Sequence, residues 1–247
     1  SKHFGDNARA VMELLQARQT LAPKLGADID VAGWLTDSDS AQQATPLPVA
    51  QVRAERIAAA GVALVHDVTC SIGTEAPAML AQGMDWFGTD VDYARLLMAR
   101  ENISSSDRGC AWVAQADALA PVTTPASSPG PRIRACSGTG SRPGRVIVAD
   151  PARRADGRRI TDPAKLIPPL PDLLDAYPGV AMAIKCAPGI DYSDWHGLVS
   201  VVSVSGGVKE ACLYTPDLAD PGHTREAVII RDEFTERVSD EGNEVGV

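Results

Sequence analysis

From residue 61 onward, short apolar runs alternate with helix-periodic stretches, and this alternation constrains the fold more than any other feature of the chain. "GVALVHDV" (61–68) is an apolar run, followed by a Ser/Gly/Thr turn and a helical "EAPAMLAQG". "DWFGTD" (85–90) reads as a strand, "YARLLMARENI" (93–103) as a helix and "CAWVAQAD" (110–117) as a strand again. Strands and helices joined by short turns predict a parallel sheet covered on both faces. The pattern resumes with a strand at 145–149, a helix near 163–176, and strands at 180–185 and 198–205. "KEACLYT" (209–215) and "EAVIIRD" (226–232) follow with no helix between them, which predicts antiparallel pairs at one side. Upstream, Ala8, Val11, Leu14, Leu15 and Ala17 recur near one face of a helix over 7–21, and a second helix covers about 47–60. The stretch 121–144 is rich in Pro, Ser, Thr and Gly and reads as a long loop.

Bulk properties narrow the class. A length of 247 residues suits one large α/β domain, and 45% hydrophobic with 22% charged residues is ordinary globular composition. The longest apolar run, Ile57–Val65, falls short of the ~20 residues a membrane span needs. Nothing at the N-terminus has the order of a secretory signal. Five scattered cysteines (Cys70, Cys110, Cys136, Cys186, Cys212) without a C-x-x-C pair fit reduced thiols and a cytoplasmic setting. Four histidines without ligand spacing give no metal site. The net charge of −9 hides an asymmetry: residues 132–159 hold eight arginines and two aspartates, a local +6 against −15 for the rest. One basic surface on an acidic body suits a phosphate chain, and a solvated loop with arginines paired to carboxylates is the bland alternative.

The strand ends carry the candidate chemistry, because ligands of open α/β sheets bind beyond the carboxyl ends of the strands. After the first strand comes Asp67-Val68-Thr69-Cys70-Ser71-Ile72-Gly73-Thr74, where Gly73 permits close backbone approach and a helix start offers free N–H groups. Asp90 follows the second strand, placed to accept from ribose hydroxyls. Asp117 follows the third, near an adenine edge or as a plain helix cap. Their successors Val91 and Ala118 are grouped with them as cofactor contacts. Asp150-Pro151 follows the fourth. An acid after the second strand without a G-x-G-x-x-G set suits an adenosine cofactor lacking a pyrophosphate, and S-adenosylmethionine is the leading candidate.

The motifs "VHDVTCSIGTEAPAML", "WFGTDVDYARLLMARENI", "AQADAL", "VIVADPARR" and "AIKCAPGID" together resemble a class I S-adenosylmethionine-dependent methyltransferase. More narrowly, "QQAT" before a helix with Arg53, "DPARR", "IKCAPGID" and "VSGGVKEACLY" resemble bacterial methyltransferases that carry a C-terminal THUMP-like domain. The resemblance covers roughly residues 30–232. It implies an α/β fold with a Rossmann-like seven-stranded methyltransferase sheet, mostly parallel with antiparallel late strands, preceded by a small helical N-terminal segment. The implied organisation is that helical segment at 1–58, the methyltransferase domain at 59–235, and at 236–247 the start of a linker to a THUMP-like domain beyond this chain. It also implies cofactor contacts at Gln43 and Thr45 and an RNA base, of tRNA or rRNA, as substrate. The motif Asp-Pro-Ala-Arg departs from the Asp/Asn-Pro-Pro-aromatic of amino-directed methyltransferases, which removes a stacking face for a flipped-out base.

Methyl transfer from a sulfonium needs an in-line nucleophile and a dry, positioning pocket. Asp150 is placed to accept a hydrogen bond from a target N–H and so orient its lone pair, and Pro151 fixes the turn. Arg153, Arg154, Arg158 and Arg159, with Lys185, would supply donors for substrate phosphates. Folding back of Arg153 or Arg154 onto a carboxylate is the structural alternative, as is an internal Lys209–Glu210 ion pair. Cys186 and Cys212 are weaker candidates as nucleophiles, being more often buried small hydrophobes. Two other readings stand beside methyl transfer: a non-catalytic RNA- or protein-binding adaptor on the same fold, and a nicotinamide-dependent oxidoreductase, which would require a pyrophosphate-binding glycine set.

Overall fold

The computed structural model describes residues 5–103, 109–122, 144–152, 154–155, 158–231 and 234–240. In chain order the elements are α1 (Ala8–Leu25), α2 (Ser38–Gln43), α3 (Leu47–Ala59), β1 (Leu64–Asp67), α4 (Ala76–Ala81), β2 (Asp85–Asp90), α5 (Tyr93–Ile103) and β3 (Ala111–Gln115). They continue with β4 (Arg145–Ala149), β5 (Arg154–Ala155), β6 (Arg158–Arg159), α6 (Leu170–Ala176), β7 (Ala181–Cys186), β8 (Leu198–Val204), β9 (Gly207–Tyr214), β10 (Arg225–Arg231) and β11 (Phe234–Ser239). Local chemistry sets several boundaries. Asp37 accepts the Ser40 N–H at the start of α2, and Asp92 accepts the Ala94 N–H at the start of α5.

Among the described residues nine strands form one sheet in the order β11-β10-β8-β9-β7-β4-β1-β2-β3. The core β7-β4-β1-β2-β3 is parallel, and β9 runs antiparallel between β7 and β8. Period-two alternation divides the core between the two faces. Val146 and Val148, Ala183, Cys212 and Tyr214 join Leu21, Ala54, Met79 and Leu96 on the face covered by α1–α5. Ile147 and Ala149, Met182, Ile184 and Leu213 join Leu166, Leu170 and Leu173 on the other. A third cluster seats Val49 and Val52 of α3 on Val202, Val228 and Ile230.

The α/β class and the mostly parallel sheet agree with the sequence pattern, and four expectations change. The sheet has nine strands, where seven were implied. The run near 226–232 makes an antiparallel pair with β11, as expected, but it also pairs parallel with β8, whose outer edge is open because β7 and β8 already occupy both edges of β9. The helix near 163–176 is a short 3-10 turn at Pro163–Lys165 and a separate α6, since Pro168 and Pro169 interrupt the helical N–H ladder. β11 extends the sheet to Ser239, across the boundary placed at 235. Cys70, Cys186 and Cys212 are buried thiols outside any disulfide, whereas Cys110 is disulfide-bonded, a departure at that position from wholly reduced thiols.

Candidate active site

The chain winds from β1 to β2 and β3 on one side and places β4 and β7 on the other, so the order reverses between β1 and β4. A crevice opens at such a reversal, beyond the carboxyl ends of the two strands. Asp67 ends β1, Asp90 ends β2, and Asp150 follows β4.

The turn after β1 is held from three sides. Its backbone is left-handed at Ser71 (φ 49°) and Gly73 (φ 83°). A Cβ at Gly73 would stand 3.2 Å from Ile103 Cγ2 and 3.5 Å from Ala99 Cβ, so glycine here also lets α5 pass close. From β2, Asp90 Oδ2 accepts the Ser71 N–H and Oδ1 accepts the Asp92 N–H, each at 2.9 Å. From α5, Asn102 donates to the carbonyls of Ile72 (3.0 Å) and Leu35 (2.9 Å). From the β4 side, the Asp150 N–H donates to Thr69 Oγ1 at 2.6 Å. Cys70 is buried beneath the turn, and burial pushes its thiol pKa up. Thr74 is buried at the entry to α4.

Asp117 is exposed, and its Oδ1 accepts the Leu119 N–H at 2.9 Å in an Asx turn; no helix follows it among the described residues, so the helix-cap alternative is not met. Ala118 beside it is buried. Val91 stands 64% exposed at the strand-end edge, and its carbonyl accepts from Gln115 Nε2.

Below the crevice lies a buried ionic network. Lys185 Nζ is 2.7 Å from Asp150 Oδ2 and 3.1 Å from Glu75 Oε1, and it donates to Thr45 Oγ1. Arg53 pairs with Glu75 Oε2 at 2.8 Å and with Glu210. Arg53, Glu75, Lys185 and Glu210 are each under 5% exposed, so each charge must be paired to be tolerated there. Burial alone would lower the pKa of Lys185, but Asp150 and Glu75 outweigh it and raise it above the ordinary lysine value. Burial would raise Glu75, but Arg53 and Lys185 hold it below the ordinary carboxylate range. Asp67 finds no such compensation: burial, reinforced by Glu75, pushes it up to about 8 despite the opposing Lys185 and the Thr69 N–H. It is therefore protonated at neutral pH.

The network brings together Asp67, Thr69, Asp150, Lys185 and Thr45 from the sequence-derived set. Gln43 ends α2, and Pro151 is buried in the turn after β4. Arg154 and Arg158 to Arg159 lie on the β5–β6 hairpin, where Arg154 pairs in register with Arg159. Arg153 and most of the 121–144 loop fall outside the described residues. Glu75 is the residue that sequence reasoning missed, and Glu210 is one that it gave another partner. Glu210 meets Arg53, not Lys209, which is exposed. A carboxylate at a helix start, like Glu75, ordinarily signals only favourable dipole placement, and its partners come from distant segments. Among the described residues no group of three or more His, Cys, Asp or Glu side chains could hold a metal, and no helix is long and apolar enough to cross a membrane. Two surface depressions, of about 340 and 380 Å³, lie near the starts of β8 and β10 (around His223 and around Arg225), away from this crevice.

No protein-family model matches the chain. Two curated relatives, named as uncharacterized S-adenosylmethionine-dependent methyltransferases of two Mycobacterium tuberculosis strains, are each 39% identical over 252 residues. The alignment covers 99% of this chain, which spans 64% of the relatives' length. A solved structure from Porphyromonas gingivalis W83, provisionally named a methyltransferase, superposes with a TM-score of 0.65 at 18% identity, covering 95% of this chain and 58% of that one. The chain thus has the fold of a class I methyltransferase and is related in sequence to proteins named as S-adenosylmethionine-dependent methyltransferases.

Proposed function

We propose that this chain binds S-adenosylmethionine at the carboxyl ends of β1 and β2 and directs methyl transfer to a base of RNA held at the Asp150-Pro151 turn. The observation that carries the reading is the 2.6 Å hydrogen bond from the Asp150 N–H to Thr69 Oγ1. It makes the cofactor turn and the acceptor-facing carboxylate one unit, so neither can shift without the other. Reactive geometry of this kind supplies much of the acceleration of a displacement reaction.

The residues present fit the cofactor. Asp90 spends one lone pair of each oxygen on the turn and can still accept from ribose hydroxyls. Around the crevice, the described side chains Asp67, Glu75, Asp90, Asp150 and Glu210 outnumber Arg53 and Lys185, even with Asp67 protonated. That surplus of negative charge favours a sulfonium cation. Bound S-adenosylmethionine supplies an electrophilic methyl group. Asp150 accepts a hydrogen bond from the target N–H and orients its lone pair, and Pro151 holds the turn rigid. Thr69 and Asn102 keep the turn after β1 in place.

RNA is favoured as acceptor by the arginines that follow Asp150. The backbone register sets Arg154 opposite Arg159 on the β5–β6 hairpin that follows Asp150 in the chain. The motifs DPARR, IKCAPGID and VSGGVKEACLY support grouping the chain with the methyltransferases that carry a THUMP-like domain.

The test is calorimetric titration of S-adenosylmethionine, followed by transfer of its labelled methyl group to total RNA from a strain lacking the protein. Binding and labelled RNA are expected. Asp150→Ala should keep cofactor binding and lose more than about tenfold in turnover, or ~1.4 kcal/mol of barrier. Turnover retained within that factor would remove Asp150 from the chemistry. Binding without label in RNA would overturn the RNA assignment.

A further inference from the structure

Lys185 is the next-to-last residue of β7, and its side chain runs beneath the Asp150 turn. An ammonium carries three donors. Three oxygens from three separate segments stand around this one: Thr45 Oγ1 from the turn before α3, Glu75 Oε1 from the start of α4, and Asp150 Oδ2 from the end of β4. The residue is 4% exposed, whereas the Asp150 side chain is 25% exposed and reaches the crevice. A substrate phosphate would find Asp150 first and, behind it, a lysine already ion-paired with Asp150 and Glu75. Thr45, read from sequence as a cofactor contact, points its hydroxyl at the same lysine.

We propose that Lys185 is a positioning residue: it fixes the Asp150 carboxylate toward the acceptor, and Thr45 and Glu75 in turn lock Lys185 in place. The assignment rests on the reading of Asp150 as the acceptor-facing group. Held at 2.7 Å by a buried cation, the carboxylate cannot swing, and its anionic form is favoured over the neutral acid that would no longer accept from a target N–H at that oxygen. The charged and titratable groups around the lysine are Asp150, Glu75, Arg53 from α3, and Glu210 from β9, with Asp67 at the end of β1 coupled to it as well. Arg53 occupies Glu75 Oε2 and Glu210, so Glu75 Oε1 is left to Lys185. The N-terminal segment, through Thr45 and Arg53, thereby contributes to the geometry of the strand-end site.

The experiment reads the carboxyl signal of Asp150 in the full chain with ¹³C-labelled aspartate, assigned by its loss in Asp150→Asn, across a pH titration and without substrate. Lys185→Met is expected to raise the pH midpoint of that signal by at least one unit. Lys185→Arg should restore most of the shift, and Thr45→Val should move the midpoint in the same direction by less. With S-adenosylmethionine and total RNA from the deletion strain, Lys185→Met should lower kcat at least tenfold, keep cofactor and RNA affinity within about twofold, and move the acidic limb of the rate profile upward with the carboxyl signal. Should Lys185→Met fail to fold, Thr45→Val decides through the same signal. An unshifted Asp150 midpoint in the folded variants overturns the proposal. So does a loss of RNA affinity with unchanged kcat, which would make Lys185 a phosphate contact. A shifted midpoint together with full turnover by Asp150→Asn would leave the positioning intact and remove the catalytic reading of Asp150.

Discussion

Asp67 and Asp90 end adjacent strands, yet their surroundings set them to different tasks. Asp67 is buried beside Glu75 and carries a proton at neutral pH, while Asp90 gives both oxygens to backbone N–H groups at 2.9 Å. Asp90 therefore supports the turn as well as facing the ribose. Asp90→Ala should weaken S-adenosylmethionine binding by about 1–3 kcal/mol, the usual cost of an unmade charge-assisted hydrogen bond. Asp90→Asn, which retains one acceptor oxygen, should lose less. Calorimetry on both variants checks this, and equal affinity in all three proteins would separate Asp90 from the cofactor.

α3 works as an element through two arginines one turn apart. Arg53 enters the buried network, while Arg56 pairs with Glu226 and Asp220 and stacks 5.4 Å over Tyr214. Removing one member of a buried ionic group leaves the others uncompensated, at about 3–5 kcal/mol. Arg53→Met should lower stability by that amount in urea unfolding, because Glu75 and Glu210 would lose their shared cation. β2 depends on a glycine for a different reason. Trp86 is fully buried and folds under Gly88, where a Cβ would overlap its indole ring. Gly88→Ala should destabilise by about 1–3 kcal/mol through overpacking, read as a lower urea midpoint with an unchanged slope.

For the whole molecule, two buried groups on β1 shape the pH dependence of stability. Asp67 has a folded pKa of about 8 against 3.8 for the free side chain, so the folded state holds an extra proton and stability falls as pH rises through that interval. His66 is lowered from 6.5 to about 3, first by burial and then by Arg145, so stability falls as pH drops through that interval. Where the two overlap, between 3.8 and 6.5, their slopes oppose and stability should be flat. Above 6.5 Asp67 acts alone, at up to about 1.4 kcal/mol per pH unit. Asp67→Asn should abolish the decline between pH 6.5 and 8, measured as the urea midpoint at both values. A decline of the same size in the variant would assign it elsewhere.

Local patterning alone determined the alternation, the strands at 85–90 and 145–149, the helix at 93–103 and the acids at the strand ends, since each follows from periodicity and turn chemistry within a dozen residues. The partners of those acids were set by packing. Glu75, Arg53, Lys185 and Glu210 are individually ordinary, and they become a network only when α3, α4, β7 and β9 converge under one crevice. The same holds for Lys185, whose burial turned an expected phosphate donor into a group engaged by three internal oxygens. Sheet edges were also a tertiary decision: β10 joined β8 because β9 had no edge left, and β11 then paired with β10. Backbone propensity acts between near neighbours, whereas the pairing of buried charges and the choice of strand edges depend on which distant segments share the space.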